Sequence, residues 1–193
     1  MAVTPDTYPS SSVFVNKLGL QNSKALSKAE AEITMLRTEE YRSHPLDGNF
    51  DLEHLQNIHR FLFRDIYSWA GELRAYYMRK HICEFTDHSK IEYYAKRLYT
   101  KLSDEQYLQD LSLPAITERL AYYYDMTNRL HPFPEGNGRT QRLFIEHLAA
   151  NAGYRVNWSL AHAWQINEVA IQSFSDNKEP TLYMFEDITS AMA

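Results

Sequence analysis

His131, Glu135, Gly136, Asn137, Gly138, Arg139 and Arg142 fall in one short stretch, HPFPEGNGRTQR. Histidine is the usual general base near neutral pH. Gly-Asn-Gly tolerates positive φ. Ahead of a helix it lets successive backbone N–H groups converge on an anion, with the helix dipole adding to the pull. The same three residues also suit a plain capping turn. The arginines bear on that choice. Arg139 and Arg142 are three apart and share a helix face, in a first turn where the dipole disfavours exposed cations by roughly 0.3–1 kcal/mol each. Two guanidinium groups beside an amide nest fit a multiply charged anion such as a di- or triphosphate. Glu135 would repel that anion unless a cation lay between them, and Mg²⁺ commonly binds through one or two carboxylates plus phosphate oxygens. The simpler reading makes Glu135 a favourable charge at the helix N-terminus. Pro132 disfavours the α conformation at His131. That predicts extended backbone there, with the ring at the rim of the loop and Phe133 plugged into the core.

The elements that must position this loop are helical by period. Residues 23–42 have helical composition, and a turn follows at His44-Pro45-Leu46-Asp47-Gly48. Leu52, Leu55, Ile58, Leu62, Ile66 and Trp69 recur at gaps of three and four, which predicts one buried stripe on a helix capped by Asp51 and ending near Gly71. Residues 73–85 break that period and predict a short β-hairpin with its tip near Arg79-Lys80-His81. Thr86 to Leu102 reads as helix again. Pro114 suits the first turn of the next helix, which must stop by His131. Arg139 to Ala152 is the helix after the loop, with Gly153 as its C′ residue. Tyr154 to Trp158 reads as a connector, and helices are expected over 160–174 and 180–191. The fold class is all-α, a single helical domain over 20–193 with a short hairpin, preceded by a flexible arm at 1–19.

Composition narrows the function classes. The 193 residues carry a net charge of −5, so no general field draws the chain to nucleic acid or an anionic membrane. Any anion site must be local. Cys83 is the sole cysteine, which rules out an intrachain disulfide, and MAVTPDTYPSSS has no apolar stretch of signal-peptide type. A reducing bacterial cytosol is the expected compartment. There is no GxxxxGK(S/T) loop, no HExxH, no CxxC pair and no nucleophile elbow. Zinc chemistry therefore has no support, and residue chemistry alone leaves attack at the α- and γ-phosphorus both open.

The stretch resembles the signature of Fic-domain proteins, HPFx(D/E)GNGRxxR, at every fixed position: His131, Pro132, Phe133, Glu135, Gly136, Asn137, Gly138, Arg139 and Arg142. HLQNIHRFLFRDIYSWAGELR, AGYRVNW and EPTLYMFEDI are similar to further Fic segments. The likeness runs over roughly residues 20 to 190. It implies a helical Fic fold with a β-hairpin flap, and transfer of AMP from ATP to a Ser, Thr or Tyr hydroxyl of a target protein. By position, His131 would deprotonate that hydroxyl and Glu135 would hold Mg²⁺ between the α- and β-phosphates. Gly136, Asn137 and Gly138 would cradle the phosphates with help from Arg139, and Arg142 would grip the γ-phosphate. The flap, including Glu84 and Phe85, would pair with the target segment. The kinase-like Doc group departs from this motif within the anion loop, whereas Gly138 is kept here.

The resemblance also implies a regulator. Many Fic proteins carry an inhibitory helix with the pattern Ser/Thr-x-x-x-Glu-Gly/Asn, whose glutamate pairs with the second motif arginine. Ser43 to Gly48 has Asp47 at the glutamate position and a proline, and Ser175 to Pro180 ends in the wrong residue. The expectation is therefore a small antitoxin supplying the helix in trans. The alternatives are the Fic domain of a secreted, host-targeting effector and a non-catalytic nucleotide-binding module.

Overall fold

Capping chemistry and apolar periodicity explain where the long helices begin. The computed structural model describes residues 2–80, 83–175 and 177–192. A short strand, β1 (Ala2–Val3), opens the chain. Helix α1 (Ser23–Ser43) starts where the Asn22 side chain accepts the Ala25 N–H, and α2 (Leu52–Phe63) starts where Asp51 accepts the His54 N–H. Strands β2 (Leu73–Arg74), β3 (Arg79–Lys80) and β4 (Cys83–Glu84) follow. Next come α3 (Ile91–Asp104) and α4 (Leu113–Leu130), the latter with Pro114 in its first turn. The chain ends with α5 (Asn137–Asn151), β5 (Tyr154–Val156), α6 (Ala163–Gln172), α7 (Glu179–Ile188) and β6 (Thr189–Ala191).

The architecture is helical with small two-stranded ribbons. Helix α5 lies at its centre, packed on α2, α4 and β5. Leu143, Phe144, Ile145, Leu148 and Ala149 on α5 are all buried. Each large apolar side chain among them contributes roughly 1.5–3 kcal/mol by leaving water. This packing fixes the start of α5, and so the motif loop, against the body.

Several sequence expectations meet a different outcome. The α2 helix stops at Phe63, well before Gly71. Ile66 and Trp69 stay buried from the turns that follow, so a helical spacing of apolar residues ran on past the helix itself. Residues 73–85 do not form one hairpin. β2 pairs in parallel with β1, and only β3 and β4 form an antiparallel ribbon, with Arg79 opposite Glu84 and Lys80 opposite Cys83. The tip residue His81 lies outside the described residues. The segment expected as a free arm lies along the body. Its Lys17 N–H donates to the Ile66 carbonyl at 2.8 Å, and Val13 is buried. The connector at 154–158 contains β5, which pairs antiparallel with β6; a run of three residues is too short to show a β period.

Candidate active site

His131 is the C-cap of α4, and its N–H still donates to the Thr127 carbonyl at 3.2 Å. Its backbone is left-handed (φ 42°, ψ 59°) and not extended as Pro132 had suggested. A left-handed residue ends many helices and satisfies an orphan carbonyl, and Pro132 excludes only the right-handed α region at the residue before it. Arg74, fully buried, locks this corner. It donates Nε to the His131 carbonyl at 2.7 Å, Nη1 to the Tyr76 carbonyl at 2.6 Å and Nη2 to the Thr86 carbonyl at 2.5 Å.

The His131 ring stacks on Phe85, centroids 3.6 Å apart and planes 14° from parallel. Nδ1 is sealed from water. Burial lowers the His131 pKa to about 3; the positive charges of Arg74 and Lys80 act in the same direction, and a hydrogen bond to the Asn128 backbone opposes them. The imidazole is therefore neutral at physiological pH.

The loop after His131 is stapled from within and from behind. The Asn137 side chain accepts the Phe133 N–H at 2.9 Å and donates to the Phe133 carbonyl at 2.7 Å. Asn137 thus spends its amide on the loop, and only its backbone N–H is left for a ligand. From α2, His59 accepts the Gly71 N–H at Nδ1 (2.8 Å), so Nε2 carries the proton and donates to the Glu135 carbonyl at 3.0 Å. His59 is fully buried between Phe133 and Phe63, and burial holds its pKa near 3. Gly136 sits at φ 80°, and a Cβ there would lie 2.3 Å from the Phe63 ring. The N-terminus of α5 has no side-chain cap, so its first amides are open to an anion.

The two arginines diverge. Arg142 turns toward the cavity beside the Tyr124 hydroxyl, and burial lowers its pKa. Glu146, whose charge reaches it, is already held by Arg42 through two hydrogen bonds of 2.8 and 2.7 Å. Arg139 turns the other way, to Glu30 and Thr34 on α1, and lies over the Phe63 ring at 4.8 Å. Glu135 is half-exposed. Its Oε1 accepts the Gly136 N–H at 2.8 Å and lies 3.6 Å from Arg139 Nη2.

Among the described residues no three His, Cys, Asp or Glu side chains cluster as a protein-only metal cage. A hard cation that keeps several waters and uses one carboxylate fits Glu135, whose carboxylate is half-exposed.

His131, Glu135, Asn137, Gly138 and Arg142 line one cavity of about 380 Å³, closed on its far side by Met78, Arg79, Lys80 and Phe85. Glu84 is exposed on β4, whereas Phe85 is buried and turned in onto His131. A cavity of about 660 Å³ around Tyr41, His147 and Trp158 contains none of the motif residues.

With that geometry in place, the chain can be set beside known proteins. The Fic/DOC family pattern matches residues 49–149. The chain belongs to the Fic/DOC family. Over 175 residues it is 36% identical to the protein adenylyltransferase VbhT of Bartonella schoenbuchensis, a match that takes in 91% of this chain and 37% of VbhT. The chain thus spans well under half the length of that relative. It is 40% identical over 154 residues to the "Probable protein adenylyltransferase Fic" of Salmonella typhimurium, covering 80% of this chain and 76% of that one. Two solved Bartonella structures share the fold: BepC of Bartonella tribocorum with bound AMPPNP (TM-score 0.93, 27% identity, 97% of each chain) and a Fic domain from Bartonella quintana with bound ADP (TM-score 0.93, 31% identity, 96% of this chain and 94% of that one).

Sequence reasoning missed His59, Arg74 and Glu30, which hold this Fic loop from α2, β2 and α1. His59 had one available signal: it follows Ile58 directly within the buried stripe of α2, where a polar side chain needs a partner. Glu30 sits among ordinary surface-type residues, and neither it nor Arg74 has a short-range spacing that ties it to the loop.

Proposed function

We propose that this chain is a protein adenylyltransferase that moves AMP from ATP to a hydroxyl side chain of a target protein. The observation that carries the reading is the shared cavity: a neutral imidazole, the uncapped amides of α5 and the Arg142 guanidinium all border it. The names of the relatives agree with it. His131 takes the proton of the target hydroxyl. The hydroxyl oxygen forms a bond to the α-phosphorus, the bond from that phosphorus to the bridging oxygen breaks, and pyrophosphate leaves. The Asn137 and Gly138 amides and Arg142 neutralise phosphate charge, and positioning with electrostatic stabilisation accounts for most of the acceleration. Arg139 has a supporting part, since its guanidinium is engaged by Glu30. Glu135 is the residue to hold Mg²⁺, which when bound would screen the phosphate charges. The exposed edge of the β3–β4 ribbon, with Glu84, is where an extended target segment would pair.

The test is incubation with ATP labelled at the α-phosphate. Wild type yields labelled protein, and His131→Ala loses at least roughly 10²-fold of that rate while still binding nucleotide. Equal labelling by both proteins would reject His131 as the base.

We further propose a regulator supplied in trans, a small antitoxin whose helix places a glutamate on Arg142. Two features support it: the carboxylate near Arg142 is committed elsewhere, and a groove of about 310 Å³ beside Arg142 runs along Thr34, Met35, Leu143 and Trp158. The resemblance to Bartonella effector domains favours a second setting, in which the domain acts in a host cell. Bacterial expression separates the two. Toxicity relieved by a co-purifying short partner supports the toxin, and unrestrained expression without toxicity supports the effector.

A further inference from the structure

Glu30 belongs to α1, more than a hundred residues before the motif, yet its carboxylate is buried against the motif's first arginine. Oε1 accepts from Arg139 Nη2, and Oε2 accepts the Tyr67 hydroxyl at 2.5 Å. The same Nη2 lies 3.6 Å from Glu135 Oε1 on the next turn of chain. Two carboxylates therefore compete for one guanidinium. Glu30 is the buried one, whose charge needs a partner, and Glu135 is the half-exposed one.

We infer that Glu30 is a positioning residue: it takes the closer hold on Arg139 and limits Glu135 to a 3.6 Å contact through Oε1, which leaves Oε2 to meet a divalent cation. This rests on the proposed cation role of Glu135. With Glu30 neutralised, Arg139 keeps Glu135 as its acidic neighbour. The two charges already lie 3.6 Å apart and draw closer, which sets the cation in competition with a guanidinium.

The test is Mg²⁺ titration of the affinity for a fluorescent ATP analogue, a readout that needs no turnover. Glu30→Gln retains the volume and an acceptor for Tyr67. It is expected to raise the half-saturating Mg²⁺ concentration roughly five- to tenfold and to leave Mg²⁺-free nucleotide affinity unchanged. In an Arg139→Met background, Glu30→Gln is expected to add nothing, because the competing guanidinium is gone. A Glu30→Gln titration that overlays wild type overturns the inference, even if the melting temperature drops, since Glu30 would then only support the fold. An equal shift in the Arg139→Met background also overturns it. A wild-type protein whose nucleotide affinity ignores Mg²⁺ overturns the Glu135 assignment itself and takes this inference with it, so the two failures are distinguishable.

Discussion

The walls of the cavity are built differently. On one side the α4–α5 loop is held by Arg74 on the His131 carbonyl, His59 on the Glu135 carbonyl and the Asn137 amide on both backbone groups of Phe133. Those anchors are buried. On the other side the β3–β4 ribbon has two ladder pairs, and Arg79, Lys80 and Glu84 are exposed. One wall is tied by buried polar groups, and the other by two ladder pairs and the buried Cys83 and Phe85 side chains. In the proposed reaction, transfer of a phosphoryl-type group depends on placement to a fraction of an ångström, so rigidity suits the wall proposed to hold ATP. In the proposed reaction the ribbon would pair through its backbone with a segment of another protein, a mode that makes little demand on side chains.

The largest break in this contrast should come from Gly136→Ala. It forces a left-handed residue with a Cβ into the Phe63 ring, and a cost of roughly 2–5 kcal/mol is expected, read as a drop in the denaturation midpoint together with lost nucleotide binding. A mutant as stable as wild type would show that the loop yields, and the rigid wall would be an illusion of one conformation.

Acid sharpens the same comparison. His54, His59 and His131 have pKa values lowered to about 4, 3 and 3, in each case chiefly by burial. Their neutral forms contribute stability that is complete above the unfolded value of about 6.5 and is lost as pH falls toward 4–3, at up to about 1.4 kcal/mol per unit for each. Asp125 opposes them. Its pKa is raised to about 6 by burial, so its contribution is complete below the unfolded carboxylate value and is lost as pH rises through 6. Three groups outweigh one, and a melting temperature that falls between pH 6.5 and 4 is the expected result. A flat profile would mean that these rings are hydrated.

The smallest effect should come from the ribbon. Glu84→Ala is expected to change stability by less than about 0.5 kcal/mol and to leave nucleotide affinity alone, with any change confined to the yield of modified target. A clear loss of ATP affinity would mean that the ribbon helps to form the nucleotide site.

Much of the loop was legible because its chemistry is local. Gly136, Asn137 and Gly138 with Arg139 and Arg142 suggest an anion site from type and spacing, and Asp51, Pro114 and Gly153 mark helix ends through their own backbone preferences. The readings that changed depended on distance in the chain. The Pro132 rule excluded one backbone region at His131 and left two, and the cap of α4 chose the left-handed one. Residues 73–85 looked like a single hairpin until β1, from the other end of the sequence, claimed Leu73–Arg74.

The sequence by itself determined the groups on offer: an imidazole, a Gly-Asn-Gly turn ahead of a helix, a carboxylate and two guanidinium groups, because each follows from residue type and short spacing. Only the tertiary structure decided their division of labour. Arg139 and Arg142 are indistinguishable as letters, yet one is taken by Glu30 and the other is left facing the cavity. The physical reason is that a buried charge is assigned by whichever opposite charge the fold brings alongside it. For Arg139 that partner lies on α1, far away in the chain.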